Sequence, residues 1–240
     1  MSRLKHIFGL GILLTLLAGA ICIAATTTPS TEGAQSAYAD IEEETESPNI
    51  LTSRLASFGP SDDNYGYGRT PEAVDLGLSV MWADHNVGAD YSNEIGRYFG
   101  YGDVDGNETS NIISRYATGD VSGTEHDPAN SFWGQGWRMP TAEEMTELCE
   151  RCSWKWVKKG NTEGYLVTGR RGQSIFLPVT GMQSKGELQF EGVRGYYWTG
   201  ESCDGSVDYA YSLFFYKGGK LMKNYKKFYG FAIRPVKEEF

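Results

Sequence analysis

The chain has 240 residues, with 31 Asp and Glu against 22 Lys and Arg and a formal net charge of −9 at neutral pH. That balance argues against a nucleic-acid partner, which needs clustered positive charge against phosphate. Four cysteines and three histidines supply one Cys-x-x-Cys, Cys149 to Cys152. A zinc site asks for a second such pair or well-spaced histidines.

In chain order, Arg3 and Lys5 precede an apolar run from Ile7 to Ala25. A positive start, a run close to the ~20 residues that span a bilayer, and the small pair Ala24-Ala25 are the layout of an export signal. Three fates fit it: cleavage near Ala24 or Ala25, lipid modification of Cys22, or retention as a membrane helix. All three put the remaining residues outside the cytoplasm, at the cell surface, the outer membrane or beyond. The membrane is then touched only through residues 1–25. Residues 26–72 begin Thr-Thr-Thr-Pro-Ser-Thr and carry nine acidic side chains, from Glu32 to Glu72, against Arg54 and Arg69. So few apolar groups do not offset the entropy of ordering, and an acidic disordered tether is expected. Residues 73–240 are long enough for one well-buried domain.

Within that domain, short apolar stretches and frequent turn residues predict an α+β fold of short antiparallel strands, long loops and one clear helix. Strands are expected at Val74 to Leu78 and Val80 to Ala83, around Gly77, and at Arg97 to Tyr101. The polar stretch Asp103 to Asn130 reads as a long loop. Thr141, Glu143 and Glu144 form a helix-start signature, and the helix runs to about Cys152 with Met145 and Leu148 on one face. Further strands are expected at Ser153 to Val157, Gly164 to Thr168, Ser174 to Pro178, Tyr196 to Thr199, Tyr209 to Tyr216 and Phe231 to Val236. Trp154 and Trp156 alternate about Lys155, so they share one strand face and are expected to be buried.

Several side chains are candidates for chemistry. Trp133 and Trp198 lie beside Gly-rich turns and are the best stacking platforms for a sugar ring. Asp103, Asp105 and Asn107 resemble the opening of a calcium loop, although Glu108 and Ser114 stand where an EF-hand needs Gly and Glu; the competing reading is a polar turn with Asx hydrogen bonds. Export leaves Cys149, Cys152 and Cys203. The first two share a helix face and would strain if joined, so Cys149 or Cys152 to Cys203 is the more favourable bond. Arg138 and Arg234 sit in apolar strands, either as anion clamps or as internal bridges to carbonyls or to Glu143, Glu144 or Asp75. Lys217, Lys220, Lys223, Lys226 and Lys227 interleave with Leu221, Tyr225 and Phe228, which reads as an anion patch or as the solvated, edge-protecting face of a β-hairpin. Nothing marks Glu201 and Asp208, or His85 and His126, as a catalytic set, so no enzyme is expected.

The ordered motifs go further. Val74-Asp75-Leu76-Gly77-Leu78-Ser79-Val80-Met81-Trp82-Ala83, Gly96-Arg97-Tyr98-Phe99-Gly100-Tyr101-Gly102, Trp133-Gly134-Gln135-Gly136-Trp137-Arg138-Met139-Pro140-Thr141, Gly195-Tyr196-Tyr197-Trp198-Thr199 and Ala232-Ile233-Arg234-Pro235-Val236 together resemble the Fibrobacter succinogenes major paralogous domain, across nearly all of residues 73–240. The resemblance extends to the C-terminal domain of bacterial collagen-like surface proteins. It implies a C-type-lectin-like fold and an exported binding protein, such as an adhesin, for an extracellular glycan or surface protein. A structural envelope or pilus component is the first alternative. An enzyme of the formylglycine-generating group, which shares that fold, is the second. His85 stands where family members often carry Cys; the catalytic cysteine pair of the formylglycine-generating enzymes and the calcium-sugar motifs of true C-type lectins have no counterpart.

Overall fold

A computed structural model describes residues 69–108, 110–134 and 136–238. The apolar N-terminal run, Cys22 and the acidic stretch as far as residue 68 lie outside the described residues. No helix among the described residues is long and apolar enough to cross a membrane. The fold is α+β, with strands in small, mainly antiparallel sheets and few helices.

The ends of the domain meet in one sheet. β1 (Ala73–Val74) pairs with β2 (Met81–Ala83), β2 with the last strand β12 (Val236–Lys237), and β12 with β3 (Trp137–Arg138). β1 and β2 are shorter than expected because the Asp75 carboxylate accepts the Gly77 N–H at 2.7 Å and Gly77 takes φ +71, closing a turn. The expected strand at Arg97 to Tyr101 reduces to one bridge, Phe99 to Phe231. The expected strand at Phe231 to Val236 breaks into bridges followed by β12; Pro235 has no N–H to continue a ladder.

Two further sheets carry most of the strand residues. β4 (Ser153–Lys159), β5 (Thr162–Thr168) and β6 (Ser174–Pro178) form an antiparallel meander. β7 (Met182–Ser184) and β8 (Glu187–Gln189) make a small hairpin absent from the sequence reading. β9 (Arg194–Ser202), β10 (Tyr209–Tyr216) and β11 (Gly219–Lys226) form the third sheet, with β10 central. Its register shifts between Ala210 and Ser212. β10 has the bounds that its aromatic spacing predicts.

Two helices join these sheets. The end of the stretch read as a loop opens α1 (Pro128–Trp133), whose start was legible in Asp127-Pro128: Pro suits the first helical position and Asp caps it. The buried Asp127 carboxylate accepts the N–H groups of Ala129 at 2.8 Å, Gly123 at 2.7 Å and Met139 at 2.8 Å. α2 (Ala142–Arg151) is the expected helix. Thr141 Oγ1 accepts the Glu144 N–H at 3.1 Å, and the Glu144 carboxylate accepts the Thr141 N–H at 2.8 Å. Arg138 donates to both oxygens of the same carboxylate, at 2.8 and 2.6 Å.

The core gathers Trp82, Met145, Leu148, Tyr165, Leu177, Tyr197, Leu213, Phe215 and Val236 from every part of the domain, with Trp154 and Trp156 half-buried against it. Gly195 sits where a Cβ would fall 2.1 Å from the Phe215 ring, so β9 and β10 pack there only through its missing side chain. Arg234 is fully buried. Its guanidinium donates to Asn86 Oδ1 at 2.8 Å, Ala83 O at 3.2 Å and Phe176 O at 2.9 Å. This is the internal-bridge reading of Arg234. Burial pulls its pKa down to about 10, which leaves it charged at neutral pH.

Arg234→Met removes one fork and orphans three buried acceptors, each worth about 1–3 kcal/mol. Urea denaturation should show a loss of about 3–5 kcal/mol, and Arg234→Lys should recover less than half of it because an ammonium lacks the planar fork. Glu144 supplies a pH test. Burial raises its carboxyl pKa, but Arg138 and the Thr141 amide outweigh burial and hold it below the ordinary 4.5. Its contribution is therefore complete above the unfolded value and lost as pH falls through the lower, folded value. Melting curves from pH 7 to pH 3 should lose that acid-sensitive component in Glu144→Gln.

Candidate functional site

The structure scatters the residues that the sequence singles out. Trp198, expected as a ligand platform, is fully buried in the core. Its indole N–H donates to Phe99 O at 2.9 Å and its ring stacks on Phe231 at 4.3 Å. Alternation puts it on the same face of β9 as Tyr196, where the Tyr101 and Phe231 rings cover it; the flanking Gly195 and Gly200 lie within the strand. Trp133 is half-buried at the end of α1, edge-on to His85 at 5.2 Å and to Trp137 at 5.7 Å.

His85 is fully buried: Nδ1 lies 2.7 Å from Asp84 Oδ1 and Nε2 lies 3.0 Å from Arg69 O. Arg69 in turn pairs with Asp84 and binds the Asp90 backbone. Residues 69–72, read as tether, are thus strapped to the domain. His126 is exposed beside Glu125. Asp103 accepts the N–H groups of Asp105 at 3.3 Å and Glu108 at 2.9 Å, so its oxygens serve their own loop, as an Asx turn does. No cluster of three or more metal-ligating His, Cys, Asp or Glu side chains occurs among the described residues.

Cys149, Cys152 and Cys203 are free thiols, which corrects the expected bridge. Burial pushes the Cys149 thiol up to about 12; it lies near Lys220 at the start of β11. Cys203 lies near Asn224 and Lys227, at the other end of that strand. Lys220 and Asn224 stand about 13 Å apart at ~3.3 Å per residue, whereas a disulfide joins Cα atoms about 5.5–6 Å apart. Arg138 bridges Glu144 and Glu238. Glu201 faces the start of α2, where burial and then the neighbouring acids raise its pKa against the Ala142 amide; Asp208 lies at the start of β10 near Lys227.

The lysine cluster divides. Lys227, expected on a solvated face, is fully buried; its Nζ donates to Ala117 O at 2.9 Å and Ser202 Oγ at 2.6 Å, 5.0 Å above the Tyr101 ring. It is a structural cation. Lys220 lies over Trp154 at 5.2 Å, and Lys223 lies over Phe214 at 5.1 Å. Alternation puts Lys223, Leu221, Phe214, Tyr216, Tyr196 and Arg194 on one face of the β9–β11 sheet.

That face carries the arrangement best suited to a ligand. Tyr196 lies opposite Phe214, which lies opposite Leu221, and Arg194 lies opposite Tyr216. The Arg194 guanidinium stacks 4.1 Å from the Phe190 ring, and its charge acts on the Tyr196 hydroxyl. Tyr196 and Phe214 meet at 5.2 Å, and Phe214 and Tyr216 at 5.8 Å. Tyr216 is 45% exposed, Leu221 40% and Val193 59%. The sequence signalled half of this site, in the odd-numbered spacing of Leu221, Lys223 and Tyr225. Arg194 carried no local signal, because only the β9–β10 register brings it to Tyr216.

No family model, curated protein or solved structure matches this chain. The site therefore rests on its own geometry. Trp198→Ala should unfold the protein more readily by about 3–5 kcal/mol, the cost of truncating a buried aromatic, as measured by urea denaturation. Trp133→Ala, at a half-buried position, should cost less than half as much.

Proposed function

We propose that this chain is an exported, surface-tethered binding module with a C-type-lectin-like fold of the Fibrobacter succinogenes major paralogous type, acting as an adhesin-like receptor for an extracellular glycan. The N-terminal layout and the ordered motifs support export and the fold assignment. One observation supports the binding role: the β9–β11 face sets Tyr216, a half-exposed aromatic, directly opposite Arg194. An aromatic ring offers an apolar platform to the C–H face of a sugar, and an adjacent guanidinium orients its oxygens. The other prominent polar groups are committed inside the protein: Asp127 to three backbone amides, Lys227 to a carbonyl and a hydroxyl, Arg234 to carbonyls and an amide.

A glycan array probed with the full chain, with and without calcium, tests this reading. Binding should appear, should be insensitive to calcium, and should weaken by about tenfold in Tyr216→Ala, a loss near 1.4 kcal/mol. Recovery of the native protein in the cytosol on fractionation would overturn export. An array without signal, joined to co-purification with a surface filament, would replace the receptor with a structural envelope component.

A further inference from the structure

The charge on the same face identifies the kind of glycan. Arg194 and Lys223 approach it from its two outer strands, each over an aromatic ring. Neither has an ion-pair partner among the described residues. The arginines at 69, 115, 138, 151 and 171 all have one. Partial burial and then the Arg194 charge lower the Lys223 pKa, so the two cations are close enough to repel. Uncompensated like charges on a partly desolvated surface are costly, and an anion placed between them relieves both. Glu191, on the flanking loop, is exposed and pairs with neither.

The floor between the cations is aromatic. Tyr216 lies over Gly219, where a Cβ would come within 2.9 Å of its ring, so the absent side chain fixes the ring's position at the rim. Phe214 and Tyr196 are buried beneath it, and Lys223 lies over the Phe214 ring. A small free anion would use the cations alone and leave this platform unused. A neutral sugar would use the platform and leave the cations unpaired.

We propose that Arg194, Lys223 and Tyr216 form a subsite for a carboxylated polysaccharide, with a sugar ring on Tyr216 and its carboxylate held by the Arg194 fork and the Lys223 ammonium. This rests on the binding role argued above and names the ligand class for that face. The overall negative charge of the chain makes the patch selective, since anions lacking the apolar platform are repelled elsewhere on the surface.

Titration calorimetry of the full chain with polygalacturonate oligomers, dextran sulfate and neutral dextran oligomers tests it. Polygalacturonate should bind more tightly than dextran, and its affinity should fall as salt rises. Lys223→Gln and Tyr216→Ala should each weaken that binding by about tenfold, and Lys223→Glu should abolish it. Lys217→Ala, on the adjoining turn, should leave it unchanged. Unchanged melting temperatures keep these losses from being read as misfolding. Dextran binding that equals or exceeds polygalacturonate binding would overturn the acidic ligand and leave the glycan reading standing. Binding to dextran sulfate alone would overturn the carboxylate. Binding to none of the three, together with a blank glycan array, would overturn both.

Discussion

Arg234 is the contact on which the rest of the domain depends. Its fork reaches the first third of the domain at Ala83 and Asn86 and the middle at Phe176, while its own backbone leads into β12. β12 is the strand that joins β2 to β3. A buried cation is tolerated there because each of its three donating nitrogens meets an oxygen, and because three otherwise unpaired acceptors are satisfied in return. The hydrophobic residues around it come from distant parts of the sequence, and they need such a cross-link to fix one arrangement among short sheets.

Asp127, Lys227 and the Asp84–His85–Arg69 group solve the same problem in other places. The strands are short, so many backbone amides and carbonyls lie outside ladders. A buried carboxylate can collect several N–H groups, and a buried ammonium can collect a carbonyl and a hydroxyl. Charged residues that a sequence reader assigns to surfaces or active sites become the mortar of loop segments.

The β9–β11 face also bears on the edge problem of the third sheet. β11 is an edge strand, and its lysines discourage pairing with another chain. Edge protection alone does not ask for Arg194 on the opposite edge, nor for aromatic rings beneath both charges.

Local chemistry determined a good part of this structure. The cap Thr141 with Glu144, the buried stripe Met145 and Leu148, and the alternating stretch Tyr209 to Tyr216 each carried its own signal, because helix starts and strand faces depend on neighbours within a few residues. The overall class followed from the density of short strands and turns. Tertiary structure alone decided which aromatics stay exposed: Trp198 and Tyr216 stand on one face of the same sheet, and only the rings packed on Trp198 bury it while Tyr216, at the end of its strand, stays open. It decided the company of each charge as well, since Arg194 meets Tyr216, Lys227 meets Ala117 and Arg234 meets Phe176 across separations that no local pattern encodes.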